Sequence, residues 1–558
     1  MSGTWDGDPA RHTVHAMTVV NDFSEQVALN GHPERSFIMA FARFPKVLHE
    51  MLLAATTLVV NGANPVTFAE IERIQIWFST VFALVGVATI LALVWRALGA
   101  RAAVITLAIV AWSTYILLYA NFPRHNMPGH AFSWGAIALY LLFRTRHDSA
   151  SEPPGSANSH LFHALAIGLL FGVAVPVHYT SVYAFIAILA VEGFYFLRSG
   201  LKLQYILFPT AIFGAATLGW FSIDLYYYLM AFRFPELRSP LLPQPYLTGG
   251  FSFLEGMAYT FQRISNQLMA DKLVTQVWWF LPGFLWRNFG IVGTAFFAIG
   301  LLAGLIRPLW SVTPMSPIRG RFVTAAIVMT LVSAYVSLGF FQSARKLVIF
   351  LPAWAILIGL GVEVVTTAIG AALTRLGAKW PTLGPSPNTA ALIAAVAILA
   401  VHGLTQASPA LAVMESRHAP GLMRAELASR GITSVMEHSA VADTNMAPNQ
   451  VDINDLTLDE ARKWKYLVTN HRMYIFTNPK GIALRECMAQ VKPLASFPNQ
   501  ASTPMFWYEF PVRLDRFDTM DPVVSRRNLY LWADLEKTCG PQMRDAQAFV
   551  WRKGKEKK

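Results

Sequence analysis

Charge is scarce in this sequence. Charged residues make up 14% of the 558, where a soluble domain carries about 25%, and mean hydropathy is +0.41. With 54% hydrophobic residues, an ordinary soluble fold is excluded and an integral membrane protein is expected. Cysteine is limited to Cys487 and Cys539. No zinc-ligand spacing, P-loop or G-x-S-x-G motif occurs, so neither a metal nor a cofactor is expected. Residues 1–30 lack an apolar h-region, and no secretory signal peptide is recognisable there. Internal repeats are missing as well. The net charge of +12 raises nucleic acid as a partner, but much of the positive charge lies in short loops between apolar runs. There it sets topology, and no nucleic-acid partner is expected.

What the chain does have is a series of long apolar runs. A membrane helix needs about 20 apolar residues, and in lipid only helices or closed barrels satisfy their backbone groups. Ten runs qualify as helices: about 76–96, 102–121, 130–145, 161–177, 180–197, 205–230, 287–306, 322–341, 347–368 and 389–405. Every second connection is basic. Arg96 and Arg101 lie in the first, Arg144 and Arg146 in the third, Arg198 and Lys202 in the fifth. Arg307, Arg319 and Arg321 follow in the seventh, and Arg375 with Lys379 in the ninth. The positive-inside rule makes these connections cytoplasmic. The N-terminal segment, 122–129, 231–286, 342–346 and the tail 406–558 then face outside. The segment "FPKVLHEMLLAATTLVVNG" (44–62) holds an apolar run of about 13 residues, short for a span and suited to an interfacial helix. If it did span, residues 1–43 would fall in the cytoplasm.

The tail changes composition. Charged residues, Asn, Thr and Pro return, and apolar runs shrink to strand length in "KYLVTN", "MYIF" and "FWYEFPV". The division expected is an external segment with an interfacial helix (1–75), a transmembrane domain (76–405) and a small external α/β domain (406–558). Both cysteines fall in that tail. In an oxidising compartment a pair is more often bridged than free, so a Cys487–Cys539 disulfide is expected.

The outside segments gather polar groups. The N-terminal segment carries Asp6, Asp8, Arg11, His12, His15 and Asp22. The motif "FPRHNMPGH" supplies Arg124, His125 and His130, and "PVHYT" supplies His178 and Tyr179. Arg345 and Lys346 stand at the membrane edge in "FFQSARKLVIFLP", on the side the positive-inside bias disfavours. Taken singly, each group has a plainer role as a solvated acid, a snorkelling histidine or an interfacial anchor. Taken together, basic groups at an outer edge suit a lipid-linked phosphate, and a carboxylate facing them suits a general base.

In order along the chain, "GDPARHTVHAMTVVNDF", "ARFPKVLHEMLLAATTLVV", "PRHNMPGHAFSWGAIALYLLFR", "GVAVPVHYTSVYAF" and "SARKLVIFLPAWAILIGLGV" resemble the GT-C-fold membrane glycosyltransferases. The nearest relatives implied are bacterial proteins similar to protein O-mannosyltransferases and the aminoarabinose transferase. The resemblance covers about residues 6–368, with a tail like the external domain of many members. It implies an aspartate base in the first external loop, at the position of Asp8. In the family a transmembrane helix precedes that loop; here it is expected to be missing from the chain or encoded upstream of Met1. The sequence departs from the family pattern in three places. Pro9 stands where many relatives have a second acid, Pro128-Gly129-His130 stands near a usual aspartate, and Lys346 replaces an aromatic.

The resulting expectation is a polytopic α-helical GT-C-like protein of the cell (inner) membrane, its active site and tail on the periplasmic or extracellular face. It would move a sugar from a polyprenyl-phosphate donor lipid to an envelope acceptor (protein, lipid or glycan), with inversion. Asp8 would be the base, and Arg345 and Lys346 would bind the donor phosphate. Asp6, Arg11, His12, Arg124, His130, His178 and Tyr179 are the cavity candidates. A catalytically inactive assembly or glycan-binding protein stays open as an alternative. A secondary transporter also stays open, although Glu192 and Glu363 lie near cytoplasmic helix ends rather than the midplane.

Overall fold

The computed structural model describes residues 7–37, 47–120, 126–147, 157–198, 200–201, 203–234, 280–306, 317–339, 347–379, 396–407, 419–437, 464–468, 479–498 and 526–555. Most of these are helical. The N-terminal segment, expected as a polar loop, is the 22-residue helix α1 (Gly7–Ala28). Among the described side chains His12, Thr13, Ala16, Val19, Val20, Ser24 and Gln26 are buried, most of them at a three-to-four spacing that lays one face on the bundle. The short helix α2 (Val47–Asn61) follows, at the length expected of an interfacial segment.

Helix α3 (Phe68–Leu98) begins at a capping box. The Thr67 hydroxyl accepts from the Glu70 N–H, and the Thr67 N–H donates to the Glu70 carboxylate at 2.7 Å. Its 31 residues are apolar nearly all round, and Trp77, Leu84 and Trp95 stay exposed. Such a surface belongs against lipid. Gly99, at φ +92°, turns the chain into α4 (Ala100–Ala111).

The expected single run 102–121 is broken. Helix α5 (Thr114–Ala120) starts after Trp112-Ser113. The break is held from a distant element, because Asn288 Oδ1 accepts the Tyr115 N–H at 3.0 Å and the Thr114 hydroxyl at 3.2 Å. A side chain 173 residues away thus satisfies backbone that a continuous helix would have satisfied itself.

Next come α6 (Asn126–His147), α7 (Ala157–Val177), a 3-10 turn (Tyr179–Ser181), α8 (Val182–Arg198) and α9 (Gln204–Arg233). Helices α10 (Phe280–Ile306), α11 (Pro317–Gly339), α12 (Leu351–Lys379) and α13 (396–407) complete the bundle. Each of the ten expected runs overlaps a helix. Among the described residues, four helices are long and apolar enough to cross a membrane: Phe68–Leu98, Leu281–Ile306, Arg319–Ser337 and Val348–Ala372. The rest are shorter or carry polar residues. Helix α12 is the centre, with Leu351 and Ala353–Ile358 fully buried. Small residues bring backbones together around it: a Cβ on Gly361 would come within 3.0 Å of the Phe296 Cα in α10.

The tail forms a mixed four-stranded sheet in the order β1-β2-β4-β3, from β1 (Met436–Glu437), β2 (Tyr466–Val468), β3 (Ala495–Pro498) and β4 (Arg526–Leu531). Strands β1 and β2 are parallel and the other pairs antiparallel. Helices α14 (Ala419–Ser429), α15 (Pro479–Gln490) and α16 (Trp532–Lys555) complete the described part. Of the three expected strands, "KYLVTN" contains β2; "MYIF" and "FWYEFPV" lie outside the described residues. Cys487 and Cys539 join α15 to α16 in a disulfide, with Cα atoms 5.8 Å apart.

Candidate active site

Asp8 lies in the first turn of α1, and Arg11 one turn on. The helix is fixed from below by a buried cluster. His12 Nδ1 donates to Glu50 Oε1 at 2.6 Å, and His15 Nδ1 to Glu50 Oε2 at 3.0 Å. One carboxylate in α2 therefore holds two histidines that stand three apart on α1. Burial alone would raise the Glu50 pKa. The charge of His15 and the hydrogen bonds from His12 and His15 outweigh it and hold the group down to about 2. His49 packs edge-on against His12 with ring centroids 5.0 Å apart.

Further bonds seat α1 on α3. The Thr13 hydroxyl donates to Gln75 Oε1 at 2.7 Å. Asn21 clamps the entry to α3 from both sides, accepting from the Val66 N–H at 2.7 Å and donating to the Val66 carbonyl at 3.1 Å. Asp22 accepts from the Ser36 hydroxyl at 2.5 Å, which commits that acid to the loop after α1.

A second polar cluster sits at the start of α6. The Asn126 amide donates to His178 Nε2 at 3.0 Å, and Thr180 Oγ1 is bonded to His178 Nδ1. The Tyr115 hydroxyl meets His130 Nε2 at 3.1 Å. The His130 and His178 rings lie 5.4 Å apart, and Trp134 stacks on His130 at 5.8 Å. Gly129 makes this possible: its Cα lies against His178, and a Cβ there would overlap that side chain. Two histidines 48 positions apart, His130 and His178, are thus neighbours.

The two clusters share one end of the bundle. Thr80 of α3 donates to the Ala120 carbonyl at the end of α5. Phe82 of α3 packs on Phe132 of α6, and Gly86 leaves room for the Trp134 ring. Trp134 Nε1 in turn donates to the Val348 carbonyl at 3.2 Å. These contacts bring α1, α2, the first half of α3, the start of α6 and the segment opening α12 to the same end.

No family model matches the sequence, and no curated protein does. Solved structures do. The archaeal oligosaccharyltransferase AglB from Archaeoglobus fulgidus, in complex with an inhibitory peptide and a dolichol-phosphate, is similar with a TM-score of 0.53 and 12% identity. That likeness covers 87% of this chain and 68% of the other. The apo form of the Archaeoglobus fulgidus oligosaccharyltransferase gives a TM-score of 0.52 and 13% identity, over 86% and 67% of the two chains. The chain has the GT-C fold. ArnT from Cupriavidus metallidurans in the apo state is also similar, with a TM-score of 0.49 and 14% identity over 85% of this chain and 90% of that one.

Within this GT-C fold the expected residues fall into three groups. His12, His130 and His178 are described and buried. Asp8, Arg11 and Tyr179 are placed by their backbone, in α1 and in the 3-10 turn. Asp6, Arg124, Arg345 and Lys346 lie outside the described residues. Among the described residues no group of three or more His, Cys, Asp or Glu has the geometry to hold a metal ion.

The sequence reading missed Glu50, Tyr115 and Asn126. Glu50 stands at the head of the apolar run in 44–62, where a buried carboxylate needs a partner. Asn126 stood in plain view inside "PRHNMPGH". Tyr115 gave no signal, since an aromatic in a membrane helix is ordinary.

Proposed function

We propose that this protein is a membrane glycosyltransferase that moves a sugar from a polyprenyl-phosphate donor to an acceptor on the outer face. The observation that carries the reading is the gathering of the polar N-terminal helix, the His130–His178 cluster and the opening of α12 at one end of a GT-C-fold bundle. The dolichol-phosphate bound to the similar archaeal oligosaccharyltransferase supports a lipid-phosphate donor. Asp8 accepts the proton of the acceptor nucleophile as that atom bonds to the anomeric carbon. The bond from that carbon to the phosphate oxygen breaks, and the lipid phosphate leaves. A single displacement inverts the configuration. Arg345 and Lys346 neutralise the charge left on the phosphate. The inner membrane is the location this reading requires, with the bundle end bearing Asp8 facing the periplasm or exterior.

The Asp8→Asn variant tests it. The amide keeps the shape and removes the proton acceptor, so transfer should fall about 10²–10⁴-fold while donor binding survives. Asp6→Asn is the internal control and should lose much less. Full transfer by both variants would overturn the assignment of the base to this helix. The alternative of an inactive glycan-binding protein predicts no transfer by the wild type with any polyprenyl-phosphate sugar.

A further inference from the structure

The start of α6 leaves two buried hydrogen-bonding groups unused. Asn126 Oδ1 and His130 Nδ1 have no partner among the described residues, and both side chains are fully buried. They stand four residues apart on one helix, so they share a face one turn apart. Their other atoms are committed. The Asn126 amide N–H donates to His178 Nε2, and Tyr115 bonds His130 Nε2. With the Tyr115 hydroxyl as the donor, the neutral His130 ring carries its proton on Nδ1. The unused pair is then one acceptor, Asn126 Oδ1, and one donor, His130 Nδ1–H. Buried groups of this kind are costly unless something fills them.

The chemistry of the pair selects what fills it. A hydroxyl donates one hydrogen bond and accepts others, so its chemistry suits both an acceptor and a donor. A phosphate oxygen only accepts, and would face the Asn126 carbonyl oxygen with no proton between them. An apolar group satisfies neither. We infer that Asn126 and His130 form a hydroxyl-binding subsite that holds a ring hydroxyl of the transferred sugar. The inference rests on the sugar-transfer reading above, and it divides the site into a phosphate-binding part and a sugar-reading part. Water carries the same donor and acceptor chemistry, and the test separates the two.

The full chain is reconstituted in lipid nanodiscs, and binding is measured for bare undecaprenyl phosphate and for undecaprenyl-phosphate hexoses of gluco, galacto and manno configuration. At least one hexose-bearing lipid should bind the wild type about tenfold or more tightly than the bare lipid. Asn126→Leu and His130→Phe should each lose about tenfold of that increment, the size of one hydrogen bond to a buried group, with bare-lipid affinity unchanged. The retained bare-lipid affinity also shows that the variants are folded. If the leucine variant fails that check, Asn126→Ser, which keeps a hydroxyl to bond His178, replaces it. An increment that survives intact in both variants overturns the inference, since the pair then holds only water. A wild type that binds bare and sugar-bearing lipids equally, yet transfers sugar in an Asp8-dependent way, overturns the subsite and leaves the enzyme reading standing. A wild type that binds no polyprenyl phosphate and transfers nothing removes both.

Discussion

The two ends of α6 carry polar clusters of opposite kind. His130 and Arg144 are 14 residues apart, about 21 Å along the helix axis. At the Arg144 end the guanidinium donates through Nε to Glu192 Oε1 at 2.7 Å and through Nη2 to the other carboxylate oxygen. The Tyr140 hydroxyl donates to the same carboxylate at 2.5 Å, and the Arg144 guanidinium lies 4.7 Å over the Phe208 ring. Both carboxylate oxygens are bonded. At the other end Asn126 Oδ1 and His130 Nδ1 have no partner among the described residues. A closed set of partners ties α6 to α8 and α9. An open set, equally buried, has spare capacity for a ligand. Of the two acids a transporter reading would call on, Glu192 is bonded to Arg144 and Tyr140, and Glu363 is paired with Arg319.

The largest expected effect comes from opening the closed end. Arg144→Met or Glu192→Leu alone strands a buried charge and should cost about 3–5 kcal/mol, read as a large loss of thermal stability in detergent. The double variant should recover most of it. If both single variants unfold at the wild-type temperature, the Arg144–Glu192 cluster is not a staple and the contrast between the ends disappears.

The tail offers a staple of a different chemistry for comparison. The disulfide closes a sequence separation of 52 residues, for which the chain-entropy model gives about 4 kcal/mol. Cys487→Ser should therefore raise protease sensitivity in 406–558 and leave lipid binding by the bundle unchanged. Parallel loss of both would show that the tail and the bundle fold as one unit.

Glu50 lies between these extremes, because it is fully bonded yet seats the helix that carries Asp8. Its charged hydrogen bonds to His12 and His15 are worth about 1.5–3 kcal/mol each in such settings. The pH dependence has a definite sign. Its folded pKa, about 2, lies below the ordinary value of 4.5. Its contribution to stability is therefore complete above about 4.5 and lost as pH falls through about 2. Glu50→Gln should lower stability at pH 6 and flatten this acid limb in a pH-resolved melting series. A variant as acid-sensitive as the wild type would place the titrating group elsewhere.

The smallest effects are expected where the contrast is sharpest. Thr67→Ala removes one cap of α3 and should cost about 1 kcal/mol. His130→Phe removes the unused Nδ1 together with the Tyr115 bond at Nε2, two changes that offset, and should shift stability by no more than about 1 kcal/mol. A loss of 3 kcal/mol or more from His130→Phe, on the scale of a broken buried pair, would make the His130 cluster a staple like the Arg144–Glu192 one.

The sequence by itself marked where the bundle's apolar helices run, though not the helix in 7–28 or the break before Thr114. Apolar runs of membrane length and the return of polar residues after 405 are local signals, and local signals survive folding unchanged. It also placed His130 and His178 in the candidate set, and a disulfide pair in the tail. The tertiary structure alone decided how those pieces are used. The break before Thr114 depends on Asn288, the fit of Trp134 on the Val348 carbonyl, and the seating of α1 on Glu50 and Gln75. The open pair at Asn126 and His130 depends on what Tyr115 and His178 already take up. Periodicity reports which face of a helix is buried. Which polar atom meets which, across 38 residues or 214, is fixed only when the helices pack and every buried donor must find its acceptor.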